Sequence, residues 1–219
     1  MSDAQPIWTR PERGRRGPAP SHSREEIVSA AIALADTEGL AAVSMRAVAA
    51  RLGTTAGSLY RYLSSRDDLL DLMTDRAVGT LKPYPATKGD WLDQMVELAR
   101  QQLDLHRRHR WLGEVSQRPT GIGPQTLDWF DHCLGVLAPL KAPTATRFEA
   151  IAVMTGTVIL FSTSGAGGGA ASFAAFEPAR HQNLAAALAE PGPPPGTDLF
   201  ERAVRSLLTG LLADGLTAP

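Results

Sequence analysis

SMRAVAARLGTTAGSLYRYLSSR, from Ser44 to Arg66, is the stretch whose reading decides the fold. Met45, Val48 and Leu52 recur at three- and four-residue spacing, which places them on one face of a helix capped by Ser44. Gly53 suits the left-handed residue that ends such a helix, and Thr54 or Thr55 can cap the next one. The second piece has a single strong core residue, Leu59, and otherwise carries Thr55, Ala56, Gly57, Ser58, Tyr60, Arg61 and Tyr62. A short helix rich in hydroxyls, aromatics and Arg, held at an angle by a Gly turn, is the pattern of a helix-turn-helix reader of DNA. Arg46, Arg51, Arg61 and Arg66 are positive, and no acid lies between Ser44 and Arg66. A polyphosphate backbone selects a patch of that sign. Helical hairpins also occur in proteins that never touch DNA, so the flanking sequence has to be weighed.

Upstream, Ser23 with Glu26 forms a capping-box signature, and Ile27, Val28, Ala31, Leu34 and Ala35 supply a helical apolar stripe that Gly39 closes. Downstream, Ser65 is followed by Asp67 and Asp68, acids that complement the dipole of a helix start. Leu69, Leu70, Leu72 and Met73 carry that helix to about Gly79. Three helices thus form a small bundle and a fourth leads away. The bundle is too small to bury a full core, so the rest of the chain must complete it.

The whole chain of 219 residues has a net charge of −1, so global charge does not argue for nucleic acid. Through Gly79 arginines and acids are equal in number, ten each, which implies a patch and not a basic protein. One cysteine, Cys133, excludes an internal disulfide and fits a reducing compartment. The amino terminus lacks the apolar core of a signal peptide, and no apolar run reaches membrane-spanning length. A cytoplasmic protein with no membrane partner is expected. Residues 1–22 carry Pro6, Pro11, Pro18 and Pro20 with Arg10, Arg13, Arg15 and Arg16, and read as a flexible basic arm without regular elements. Such an arm is either a solvated tail or a reach into the minor groove beside the hairpin.

SREEIVSAAIALADTEGL followed by SMRAVAARLGTTAGSLYRYLSSRDDLLDLM closely resembles the DNA-binding domain of the TetR family of one-component transcriptional regulators. The likeness covers Ser23 to Gly79 and rests on the Gly-Leu after the first helix, the Ala-x-x-Leu-Gly turn, Leu-Tyr-x-Tyr, and the Leu-Leu beyond it. It implies an all-α, dimeric repressor of promoters. It also implies that Arg46 touches base edges or phosphate and that Thr55 to Ser58 face the groove. Tyr60 and Arg61 would contact backbone or bases, and Arg66 would stand where relatives place a phosphate-binding Lys. Ser44, Thr54 and Tyr62 complete the expected DNA-binding set. Ala56 and Gly57 are small where some relatives have longer polar residues.

Past Gly79, Lys82-Pro83-Tyr84-Pro85 breaks the chain. Asp90 caps one long helix running from Trp91 to Val115, and a loop at Arg118-Pro119 and Gly121 to Pro124 follows. Helices are then expected over 126–137, 145–161 and 198–214. Trp91, the Arg118-Pro119 turn and the apolar penultimate helix resemble the tetracycline-repressor-like ligand-binding domain, in which the last two long helices pair across a twofold axis. Two helices this apolar favour a homodimer on physical grounds as well. A pocket is expected among Trp111, Trp129, Phe130, Met154 and Phe161, with His106, Gln117 and Arg118 as polar handles. Taken singly, each of these aromatics is more at home in a core.

His106 and His109 at i, i+3 lack a third ligand, so no metal or other cofactor is expected. The position from which the tetracycline repressor presents a metal-binding His is Glu114 here, which argues against a tetracycline–magnesium effector. Adjacent His132 and Cys133 diverge around a helix and form no dyad. GAGGGA, residues 165–170, lacks the Lys-Ser/Thr of a phosphate loop and reads as a connection. The expectation is therefore an all-α chain with an arm at 1–22, a helix-turn-helix DNA-binding domain at 23–80, and a ligand-binding and dimerisation domain at 81–219. Its function would be to bind double-stranded operator DNA as a homodimer and release it to a small apolar or amphipathic effector. The competing readings are a helical carrier or enzyme with a merely structural hairpin, and an activator. No nucleophile–base pair, metal set or cofactor loop supports the enzyme.

Overall fold

The computed structural model describes residues 7–9, 22–85, 89–118, 121–163, 176–189 and 198–212. Among these every regular element is helical. Ser23 accepts a hydrogen bond from Glu26 N while the Glu26 carboxylate accepts from Ser23 N, so the capping box starts α1, Arg24–Glu38, as its sequence requires. Gly39, at φ 84°, ends it and leads through a 3-10 turn at Leu40–Ala42. Ser44 caps α2, Met45–Arg51, and Gly53 turns the chain at φ 66° into α3, Ala56–Leu59, capped by Thr55. Ser65 caps α4, Arg66–Gly79. Ile27, Ala31, Val48, Leu59, Leu63, Leu69 and Met73 interlock as the core of this bundle.

The second half departs from its sequence reading in several places. One long helix was expected over 91–115, but α5, Trp91–Arg108, stops and α6, Trp111–Val115, restarts. Between them His109 leaves helical geometry at ψ 74°. Its Nδ1 lies 2.8 Å from Asp36 Oδ1 on α1, and Trp111 Nε1 donates to the same oxygen at 2.8 Å. A single carboxylate of the first bundle thus pins both sides of the break. α7, Pro124–Leu137, begins two residues earlier than expected because Pro124 suits the first helical turn. α8 is Thr144–Thr163, and α9, Gln182–Ala189, is an element the sequence reading missed. Asp198 accepts from Glu201 N at the start of α10, Leu199–Leu212.

α8 packs most extensively on α5 and α10. It also corrects the expectation about membrane-spanning length: its 20 residues, at mean hydropathy 1.3, are long and apolar enough to cross a bilayer by composition. Ala150, Ile151, Met154 and Val158 bury one face of it in the protein. Arg205 joins α10 to α5 through Asp93 at 2.6 Å, and Arg100 on α5 reaches Asp198 at 3.1 Å and also Glu201. These exposed pairs add little individually.

Besides Asp36, two further contacts fasten the halves together. Asp67, Asp71 and Asp75 follow one another at four-residue spacing on α4. Asp67 receives Arg118 Nη2 at 2.5 Å, Asp71 receives Gly121 N at 3.1 Å, and Asp75 receives Thr126 N at 2.9 Å. Burial, partly offset by the Gly121 N–H, raises the Asp71 carboxyl above its ordinary range, with Asp68 and Asp67 adding to the rise. The second contact is a single 3-10 turn, Ile7–Thr9, within the expected arm. Ile7 is only 3% exposed, and the Trp8 ring packs so closely that a Cβ on Gly123 would fall 2.7 Å from it and 2.3 Å from Asp75. The arm is therefore regular and seated at that point; Arg10, Arg13, Arg15 and Arg16 lie outside the described residues, as does the GAGGGA stretch.

Candidate nucleic-acid interface and effector cavity

Local sequence builds the hairpin surface. Met45, Val48, Ala49 and Leu59 turn inward, which leaves Arg46, Gly57, Tyr60 and Arg61 exposed on the outer side. Tyr60 is 54% exposed, a high value for a ring with no solvent-facing duty in the fold. Ser44 accepts from Ala47 N at 3.1 Å, and Thr55 accepts from Ser58 N at 3.3 Å. Thr54 and Ser58 hydroxyls share a hydrogen bond of 2.8 Å, and Ser58 donates to Thr55 O. These bonds fix the direction of α3, while Ala56 is half-buried and Tyr62 packs against the core. The regular helix ends at Leu59, and Tyr60 to Tyr62 form a turn, so the reading surface is shorter than a full recognition helix.

The four arginines divide into distinct roles. Arg51 pairs with Glu38 at 3.7 Å. Arg46 and Arg61 stand in no ion pair among the described residues. Arg66 differs from its sequence reading: Nε donates to Val43 O at 2.7 Å and Nη2 to Leu40 O at 2.9 Å. That side chain ties the start of α4 to the turn before α2. Nothing in the primary sequence forecasts the bond, because the carbonyls lie 23 and 26 residues away.

In the second half, a cavity of about 440 Å³ opens between α5, α6 and α8, lined by His106, Arg110, Gly113, Glu114, Gln117, Ile159, Ser162 and Thr163. Of the eight expected pocket residues, only His106 and Gln117 line it. Trp111 is buried on Asp36, and Arg118 reaches Asp67. Trp129 packs 5.8 Å from Tyr84, and Phe130 packs 6.2 Å from Phe148. Phe161 meets Phe200 edge-on at 5.4 Å, and Met154 is fully buried. These apolar side chains pack within or against the core between helices, whereas the residues lining the cavity are mostly of polar type, Gly113 and Ile159 apart. Ile159, Ser162 and Thr163 share a face of α8 at helical spacing, a signal hidden by the apolar tone of that helix. His106 and His109 do not converge, since His109 is held by Asp36. Burial, with His109 nearby, lowers His106 to about 4. Burial likewise pushes the Cys133 thiol up to about 12, which leaves it an inert packing group. A second opening of about 470 Å³ lies at the seam between Trp8, α1, α4 and α7.

Residues 27–73 match the family model described as bacterial regulatory proteins, tetR family, and residues 83–214 match the tetracyclin repressor-like C-terminal domain. The second match alone spans more than half of the chain. This protein belongs to the TetR family. It is similar to the HTH-type transcriptional repressor DrrR1 of Streptomyces coeruleorubidus, 39% identical over 155 residues, 70% of this chain and 57% of that one. An HTH-type transcriptional regulator of Saccharopolyspora erythraea is 33% identical over 157 residues, 70% of this chain and 64% of the relative. The chain thus spans somewhat under two thirds of these relatives' length. Among solved structures, apo ActR from Streptomyces coelicolor superposes with TM-score 0.74 at 24% identity, covering 93% of this chain and 100% of ActR. ActR in complex with actinorhodin gives 0.73 at 27% identity, covering 89% and 98%. The TetR fold places the hairpin and the cavity in one chain, joined through α4.

Proposed function

We propose that this TetR-family regulator represses transcription by binding a palindromic operator in double-stranded DNA as a homodimer. A small molecule entering the α5–α6–α8 cavity would release it. The observation that carries the reading is the outward, acid-free hairpin surface, where Arg46, Tyr60 and Arg61 are exposed and, among the described residues, Arg46 and Arg61 stand in no ion pair. Thr55, Gly57 and Ser58 complete the groove-facing edge, and Ser44 and Thr54 hold it in place. The proposed domains are the reader at 23–80 and the sensor and dimerisation unit at 81–219.

Dimerisation is supported by the apolar residues left outward on α8 and α10: Val153, Leu160, Leu199 and Leu207 are all exposed, Leu160 to 62%. Two copies joined there would present two hairpins, and consecutive major-groove faces recur about every 34–36 Å. The sign of control follows DrrR1, a repressor, and the small-molecule trigger follows ActR, which was crystallised with actinorhodin. A ligand shifts the equilibrium only by binding the released state better. The α4 aspartates are the physical link through which it would do so.

Fluorescence anisotropy with DNA from upstream of the protein's own coding region, against shuffled DNA at several salt concentrations, tests this reading. Sequence-dependent binding with a steep salt slope supports it. Equal weak binding to that DNA, its shuffled control and a randomised pool under selection would sink it.

A further inference from the structure

The opening at the seam between the two halves is bordered by two opposite charges that the fold leaves unanswered. Asp75 on α4 is only 6% exposed and lines the opening. Its Oδ1 accepts from Thr126 N at 2.9 Å and from Thr126 Oγ1 at 3.2 Å. Among the described residues Oδ2 has no hydrogen-bond partner, and the carboxylate has no cation. A buried carboxylate is stable when a cation answers it. On the α1 side of the same opening, Arg24 is half-buried. Its Nη2 reaches Tyr62 O only at 3.4 Å, and its Nε is sealed from solvent without a partner. No carboxylate pairs with it among the described residues. Opposite charges that border one opening without reaching each other are spanned by a molecule that carries the complementary pair.

The surface between the charges is apolar. Trp8 closes one side, and Val28, Leu72 and Pro124 supply the rest. The indole lies so close to the loop before α7 that a Cβ on Gly123 would fall 2.7 Å from its ring, so that loop is shaped to seat it. Gln125 adds one donor: its Oε1 accepts from Lys82 Nζ at 3.1 Å, which leaves its amide N–H groups for a ligand carbonyl. At the rim Glu25 and Arg76 are exposed and cancel in charge. The volume, about 470 Å³, is that of a small-molecule pocket. A free α-amino acid holds its two charges on one carbon, whereas a short peptide carries them at opposite ends.

We propose that the seam is a second ligand site, separate from the α5–α6–α8 cavity, and that it takes a short zwitterionic peptide with an apolar or aromatic body. The terminal ammonium donates to Asp75 Oδ2, the terminal carboxylate accepts from the Arg24 guanidinium, and the side chains lie on Trp8, Val28 and Leu72. Arg24 and Asp75 belong to the first half, while Pro124 and Gln125 open α7 of the second. A ligand held among them bridges the two halves at their joint, whatever occupies the other cavity.

Four probes test it by calorimetry on the full chain: the dipeptide Phe-Leu, its N-acetyl form, which lacks the ammonium, its C-terminal amide, which lacks the carboxylate, and free phenylalanine, whose charges sit too close together. Phe-Leu should bind about tenfold tighter than any of the others, since each change leaves one charge of the site unanswered. Asp75→Asn keeps an oxygen for Thr126 and should bring Phe-Leu down to the level of the N-acetyl form, while leaving that form unchanged. Arg24→Met should bring it down to the level of the amide, and Arg24→Lys, which keeps the charge, should retain most of the affinity. Trp8→Ala should weaken all three peptides together. Equal affinities across the probes, no binding of Phe-Leu at millimolar concentration, or a charge preference that survives both Asp75→Asn and Arg24→Met in variants that melt normally would overturn the assignment. Where Asp75→Asn melts low, the contrast between Arg24→Met and Arg24→Lys decides the matter alone.

Discussion

In the hairpin, each cap and its partner lie three residues apart: Ser44 with Ala47, Thr55 with Ser58, Ser65 with Asp68. In the sensor half, the bonds that decide shape reach from His109 and Trp111 to Asp36, 73 and 75 residues away. The reader is thus specified by short words of sequence, and the sensor by meetings between distant ones. The same division runs through chemistry, since the hairpin's exposed groups point outward from an apolar interior while the cavity of the second half lies between packed helices. A change in the first half should alter recognition with little change in fold, and a change in the second should alter fold or tuning before recognition.

The sharpest way to break this comparison is to empty each core in turn. Leu59→Ala and Met154→Ala both remove fully buried side chains and should each cost about 2–5 kcal/mol of unfolding free energy in urea. Leu59→Ala should also weaken operator affinity of the folded protein, because α3 hangs on that residue. Met154→Ala should leave it intact, and equal affinity losses in the two variants would dissolve the division. A pH effect is expected from the second half through His106. His106 has its folded-state value lowered to about 4 by burial, against about 6.5 in an unfolded chain. The unfolded state therefore binds more protons between those values, and stability falls as pH drops from about 6.5 to 4, by a few kcal/mol at about 1.4 kcal/mol per unit. His106→Phe should flatten that share of the slope in denaturation series, and an unchanged slope would contradict the burial argument.

On the reader side, Arg46→Ala or Arg61→Ala should cost about 1–3 kcal/mol of operator affinity while thermal melts stay near wild type. A salt slope reduced by about one unit marks a phosphate contact, and an unchanged slope with relaxed sequence preference marks a base contact. Arg66→Ala should instead lower the melting temperature, since its two carbonyl partners lie inside the bundle. The smallest change is Gly53→Ala, at φ 66° with open space around the added methyl. It should cost about 1 kcal/mol from backbone conformation alone, read as a modest fall in urea midpoint.

The legibility of the chain follows the same line. The capping box, the Gly turn and four-residue apolar stripes are local rules, and they located the starts of α1 to α4 within a residue or two, while α3 ends at Leu59, short of the expected Tyr62. The break between α5 and α6 was invisible because WLDQMVELARQQLDLHRRHRWLGEV is a good helix by every local criterion; only Asp36, far upstream in sequence, supplies a reason to stop. Ile7 and Trp8 were read as part of a Pro- and Arg-rich arm, since an isolated apolar pair announces burial only once its seat exists. In the candidate cavity, aromatics drew attention that belonged to Ser162 and Thr163. Large rings were needed to fill space between helices, and the hydroxyls that face the opening look, in sequence, like minor interruptions of a greasy run.

The row of aspartates on α4 also bears on how this regulator could be recombined. A reader and a sensor from different relatives are naturally exchanged after residue 80, where the chain thins. Such a chimera would keep Asp67, Asp71 and Asp75 from one parent and take Arg118, Gly121, Gly123 and Thr126 from the other. The joint would then be intact in sequence and mismatched in space. Grafts that carry the 118–126 segment together with α4 should transmit a signal, whereas grafts cut at the obvious linker should yield proteins that bind DNA and bind ligand with neither event informing the other.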